Sequence, residues 1–132
     1  MTEDKPLRRG PRLRRSGERA KCRFCSRTLP RPKPREEVFT PLLPGGACPC
    51  GARFVVDPTG RNGGVALLEV LTDIVDGDRE RSNFMIRGKD YEEAIENYEP
   101  HGHSYIMGLK GYRRGMNRLY LARLLDPSEE EE

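Results

Sequence analysis

Residues 22–57 read CRFCSRTLPRPKPREEVFTPLLPGGACPCGARFVVD, and every cysteine of the chain lies in this stretch. The four fall as two close pairs, Cys22-x-x-Cys25 and Cys48-x-Cys50, with 22 residues between the pairs. None sits in an apolar run where a thiol could serve as a small core residue. Two residues between Cys22 and Cys25 let both sulfurs point at one ion while the backbone turns, and N–H groups in such a turn can donate to thiolates. Pro49 presets φ inside the tighter second pair, and Gly51 supplies a permissive position after it. This is the spacing of a four-thiolate zinc site with Cys22, Cys25, Cys48 and Cys50 as ligands. Lys21, Arg23 and Arg27 flank the first pair, favour the thiolate forms and offset the negative charge that four thiolates leave on a zinc ion.

Between the pairs, Leu29-Pro-Arg-Pro-Lys-Pro-Arg35 removes alternate backbone donors and favours polyproline II. Its simplest role is a stiff spacer that holds the two knuckles apart; the P-x-P-x-P pattern is also that of a partner ligand. Glu36-Glu37-Val38-Phe39-Thr40 reads as a short strand, ended by Pro41 and by Pro44-Gly45-Gly46. Residues 52–57 alternate into a second strand. The stretch therefore predicts a small β-hairpin metal module, 21–57, with a proline-stiffened insertion.

Downstream, Pro58-Thr59-Gly60-Arg61-Asn62-Gly63-Gly64 is a turn, with Thr59 or Asn62 as a helix cap. Leu67, Leu68, Leu71, Ile74 and Val75 follow at helical spacing, and Asp76-Gly77 ends that helix. Residues 78–87 predict a short helix. Asp90-x-x-Glu93 resembles a capping box for a third, through about Tyr98, with Tyr91, Ala94, Ile95 and Tyr98 as its buried stripe. Segments 104–107 and 117–125 predict a closing β-hairpin. His101 and His103, one residue apart, are candidate ligands of a second metal, or else a turn with two exposed imidazoles. The fold class expected is thus α+β: a zinc-ribbon-like β module in front, two or three helices over 62–99, and a C-terminal β-hairpin over 103–125, all in one domain spanning 21–125.

Hydrophobic residues make up only 35% of the 132, so the core is modest and a metal that closes a loop is a useful supplement. The net charge of +3 hides an asymmetry: residues 1–35 carry 13 Lys/Arg against 3 Asp/Glu, whereas 36–132 carry 11 against 18. Residues 1–20 read as a disordered basic arm and 126–132 as an acidic tail. Arg8, Arg9, Arg12, Arg14 and Arg15 of the arm, with Lys110, Arg113 and Arg114 of the hairpin, are candidate nucleic-acid contacts. The arm could equally be a solvated tail that meets the acidic end of its own chain. With no apolar run of signal or membrane-spanning length, the expected location is cytoplasmic, and there paired cysteines favour metal over disulfides.

On these residues the stretch 22–57 resembles the zinc-ribbon class, whose four ligand positions Cys22, Cys25, Cys48 and Cys50 match; the C-x-C second knuckle departs from the commoner double C-x-x-C. The run CPCGARFVVDPTGRNGGVAL, 48–67, also looks like stretches of bacterial proteins. A redox-switched chaperone pairs C-x-C with C-x-x-C around zinc in the opposite order, a likeness of chemistry alone. The resemblance implies the zinc ion; the reading as a non-enzymatic interaction module, whose partner is a nucleic acid or a protein, comes from the residues themselves. A closed four-cysteine shell leaves no open position for catalysis. Four thiolates in a basic setting also suit a redox switch that releases zinc on oxidation. An enzyme using His101, His103 and nearby Glu or Tyr is the remaining reading, and no P-loop, dinucleotide fingerprint, nucleophile elbow or H-E-x-x-H supports it.

Overall fold

The computed structural model describes residues 19–35, 43–106 and 116–125. The arm residues 1–18, the expected strand at 36–40, the tail 126–132 and the basic residues Lys110, Arg113 and Arg114 lie outside these. Among the described residues seven elements follow in chain order: β1 (Gly45–Ala47), β2 (Arg53–Asp57), α1 (Gly63–Ile74), α2 (Arg79–Ser82), β3 (Tyr91–Glu99), β4 (Ser104–Tyr105) and β5 (Arg118–Leu124). The strands form one antiparallel sheet in the order β1-β2-β5-β3-β4.

That sheet overturns the expected α+β arrangement. Strands dominate, among the described residues there are two helices, and the third expected helix, 90–98, is the longest strand of the sheet. Its residues satisfy both periods. Tyr91, Ala94, Ile95 and Tyr98 mark a helical stripe, yet alternation along an extended chain places Glu92, Ala94, Glu96 and Tyr98 on one face and Tyr91, Glu93, Ile95 and Asn97 on the other. A helix this short, bounded by Gly88 and Pro100, is marginal by itself. As a strand, the segment pairs with β5 from Tyr91↔Leu124 to Asn97↔Arg118. It also gains the cross-strand pair Glu92–Arg123, with Arg123 Nη2 2.6 Å from Glu92 Oε2.

The expected closing hairpin is corrected by the same strand. β4 and β5 are not partners, because β3 lies between them; β4 pairs with β3 through Tyr98↔Tyr105 and Glu99↔Ser104. β1 is also a departure, since Gly45-Gly46 reads as a turn in the sequence. Here the glycines serve close approach: a Cβ on Gly45 would stand 2.0 Å from the Phe54 carbonyl oxygen, across the β1–β2 pairing. The main helix, the short second helix and strand β2 form where the sequence puts them. Asn62 stands at the N-cap of α1 without a side-chain bond. The fully buried carboxylate of Asp57 organises that turn instead, accepting from the Thr59 and Asn62 N–H groups and the Thr59 hydroxyl. No helix among the described residues is long and apolar enough to cross a membrane.

The sheet has a different layer on each face. Against one packs α1, with Ala66, Val70, Leu71 and Ile74 meeting Val55, Tyr91, Tyr120 and Ala122. Against the other packs the cysteine module, with Ala20, Cys22, Leu29, Cys48 and Ala52 meeting Phe54, Val56, Tyr98, Tyr105, Leu119 and Leu121.

Candidate metal centre

Both knuckles are hairpin turns. In the first, the chain runs out through Ala20 and Lys21 and back through Thr28 and Leu29, closed by Cys22 N–H to the Arg27 carbonyl at 2.8 Å and Leu29 N–H to the Ala20 carbonyl at 3.0 Å. Ser26 takes a left-handed φ of 73° at the tip, and its N–H donates to the Cys22 carbonyl. The second knuckle is the β1–β2 connection, where Cys48 N–H donates to the Ala52 carbonyl and Gly51 N–H to the Cys48 carbonyl. Gly51 has φ of 104°, a conformation that a side chain disfavours, which is the permissive role its place after the C-x-C pair suggests.

These turns bring all four sulfurs to within 4.8 Å of one another. Cys22 Sγ lies 3.7 Å from Cys50 Sγ, and Cys25 Sγ lies 3.4 Å from Cys48 Sγ. Four sulfurs at the zinc–thiolate distance of about 2.3 Å in a tetrahedron stand about 3.8 Å apart, so the donor set and its spacing fit one tetrahedral ion. Cys22 and Cys48 are buried, whereas Cys25 and Cys50 are half-buried. The Phe24 N–H lies 3.4 Å from Cys22 Sγ and points a donor at it. As free thiols, the four divide unequally. Burial raises the Cys22 pKa, and pushes Cys48 up to about 12. Burial also acts upward on Cys50, but the Ala52 N–H and shared protons from Cys22, Cys48 and Cys25 outweigh it and bring Cys50 down to about 7.

Charged and aromatic side chains surround the sulfurs, and most of this surround is not legible in the sequence. Arg123, from β5, sits over the Phe24 ring at 5.1 Å and is gripped by Glu92. Burial works against its charge, but the bonds to Glu92 and to Cys50 raise its pKa. Arg23 stacks over Tyr105 at 4.6 Å and pairs with Glu96 at 2.8 Å. Lys21 and Arg27, the other flanking cations, are exposed, and among the described residues neither has a carboxylate partner.

The histidines part company. His103 is buried with φ of 51°; its Nε2 lies 2.6 Å from the Leu29 carbonyl and its Nδ1 2.6 Å from the Tyr98 hydroxyl. A carbonyl only accepts, so Nε2 donates to Leu29, and Nδ1 shares a hydrogen bond with the Tyr98 hydroxyl. With both nitrogens engaged, this ring pins the first knuckle to the sheet rather than facing a metal; its carbonyl also accepts from Ala20 N–H at 2.9 Å. His101 is exposed, its backbone held by Glu99 and Arg31. Among the described residues, the four cysteines form the one group of three or more His, Cys, Asp or Glu side chains placed to hold an ion.

Comparison with known protein families, curated proteins and solved structures finds no match to this chain. The site therefore speaks through its geometry alone: four converging cysteines form a potential metal centre carried on one face of an antiparallel sheet.

Proposed function

We propose that the four cysteines hold one structural zinc ion, and that the protein is a non-enzymatic module that uses the fold so fixed to bind a nucleic acid. The observation that carries the metal is the convergence of four sulfurs from two separate hairpins within 4.8 Å. An all-thiolate tetrahedral set favours zinc or iron over harder cations, and a set of four leaves no open position for substrate. Cys22 and Cys48 each stand in the apolar layer, which suits a metal that completes a core. The nucleic-acid reading is supported by the run of cations from residue 5 to residue 35, interrupted by the single acid Glu18.

Elemental analysis of the purified chain tests the metal, with one zinc per chain expected. Cobalt substitution should then give the intense visible bands of a tetrahedral thiolate site, and Cys48→Ser should abolish them. Less than a tenth of an equivalent of metal under reducing conditions, with no cobalt spectrum, overturns the reading. The half-exposed pair Cys25 and Cys50 favours a second use of the same site as a thiol switch. In that case peroxide releases zinc well before the α1 face unfolds; release only with global unfolding rejects it.

A further inference from the structure

We infer that the first metal knuckle and its proline extension carry a phosphate-binding rail, formed by Arg19, Lys21, Arg27, Arg31 and Lys33, along which a nucleic-acid backbone lies. This deepens the reading just given, because it places the contact on the metal-held hairpin and not only on the Arg-rich run before it.

From 19 to 35 the chain holds seven Lys/Arg and no Asp or Glu. Two of the seven are committed elsewhere: Arg23 to Glu96, and Arg35 to Glu69 and Asp73 on α1. The other five are exposed, and among the described residues none has a carboxylate within ion-pair distance. Their positions are fixed by the backbone. Ala20 and Cys22 are buried, so alternation leaves Arg19 and Lys21 on the outer side of the same strand. Arg19 pairs with Ser104 and Lys21 with Thr28, while Lys33 pairs with Gly45 at the sheet edge. The Arg31 guanidinium donates to the Pro100 and His101 carbonyls at 2.9 and 3.2 Å, beside the loop that also receives Ala20. Carbonyls position that cation without neutralising it. Arg19 thus stands beside β4 and Lys33 beside β1, the two edge strands of the sheet, and the segment between them carries cations that have no carboxylate partner among the described residues.

The chemistry of the edge favours a nucleic acid over a lipid surface. Its remaining exposed residues are Ser26, Thr28, Pro30 and Pro34, and the exposed large apolar side chains Val65, Leu68, Phe84, Ile86 and Ile95 belong to other segments. A membrane-seeking surface needs apolar groups among its cations; a phosphate backbone needs cations alone.

The test uses the full chain, zinc-loaded, with a fluorescent 20-nucleotide oligo(dT) and a salt titration. The triple variant Lys21→Gln, Arg27→Gln, Lys33→Gln is compared with Arg61→Gln, Arg81→Gln, Lys89→Gln, which removes the same charge from exposed positions elsewhere. Cobalt spectra and melting curves confirm that both fold. For the rail variant, affinity at low salt is expected to fall at least tenfold and the salt slope to flatten by about 2, from about 0.7 for each phosphate left without its cation. The control is expected to stay within twofold of the parent. Equal effects of the two variants, or an unchanged slope in the rail variant, overturn the rail while leaving nucleic-acid binding by the arm intact. Absence of oligo(dT) binding by the parent at low salt overturns both, as does tighter binding to anionic vesicles than to oligo(dT).

Discussion

The two faces of the sheet are closed in different ways. On the α1 face, a twelve-residue helix lays Ala66, Val70, Leu71 and Ile74 over Val55, Tyr91, Tyr120 and Ala122, a layer of apolar side chains. On the other face the covering layer is two hairpin turns whose inward residues are Ala20, Cys22, Leu29, Cys48 and Ala52. Apart from Leu29 these are small, with Phe24 half-buried beside them, and each turn is too short to be stable unaided. With the proposed structural zinc in place, the cysteine face depends on the bond between its turns, whereas the helix face does not. In a chain with a modest apolar content, the proposed metal would complete the second layer.

Metal removal is the sharpest way to break this contrast and carries the largest expected effect. Binding of a structural zinc is worth roughly 10–16 kcal/mol in apparent terms. The α1 face has an apolar core of its own, so the loss is expected to fall on the cysteine layer first. With a chelator, or in Cys48→Ser, hydrogen exchange should accelerate first at the amides of Cys22, Leu29 and Cys48, while those of Val70 and Leu71 stay protected under mild conditions. Simultaneous loss at all these amides would show that the two faces form one cooperative unit and that the contrast has no energetic meaning.

The contrast also explains what the sequence discloses. The candidate ligands are written locally: Cys22-x-x-Cys25 and Cys48-x-Cys50 constrain their own backbone, so the knuckles can be read before any tertiary contact is known. Helix α1 is legible for the same reason, through Leu67, Leu71 and Ile74 at helical spacing. Strand β3 is not, because Tyr91, Ala94, Ile95 and Tyr98 satisfy a helix while Glu92 and Glu96 find Arg123 and Arg23 only once the sheet exists. Gly45 and Gly46 are likewise ambiguous until Phe54 lies across from them. His103 looks like a ligand in sequence because its partners, Tyr98 and the Leu29 carbonyl, are set by the loop at 100–103 and by a residue 74 positions away.

A smaller effect is expected at the strap that joins the two faces. The spacer leaves the cysteine layer at Leu29, pairs at Lys33 with β1, and ends with Arg35 clamped by Glu69 and Asp73 of α1 and bonded to the Leu43 carbonyl. The guanidinium is nearly buried, and Arg35→Met removes the cation that both carboxylates share. Stability should fall by about 2–4 kcal/mol, near the range for breaking a buried pair. Zinc stoichiometry should stay at one, because Arg35 and its two carboxylate partners lie outside both knuckles. A combined loss of metal would show that the strap, rather than the local turns, positions the sulfurs.

The smallest effect lies within the site, in the metal-free protein, where the four thiols cease to be equivalent. Iodoacetamide under non-denaturing conditions should label Cys50 first, with a rate that rises through a pKa of about 7. Cys48, pushed up to about 12, should label late. Linkage gives the sign for stability. Cys50 has a folded pKa below the ordinary thiol value of 9.0, so its contribution is complete above pH 9 and is lost as pH falls through about 7. Cys48 acts in the opposite sense, contributing fully below pH 9 and losing that contribution as pH rises through about 12. Between about pH 6 and 9, therefore, the melting temperature of metal-free protein should rise with pH, and in Cys50→Ser that rise should shrink. Uniform labelling of the four cysteines, or a slope unchanged by the substitution, would mean that the hydrogen bonds from Ala52 and the neighbouring thiols do not survive without the metal. The cysteine face would then owe even its local order to the ion, and the difference between the two faces would be larger than the geometry alone suggests.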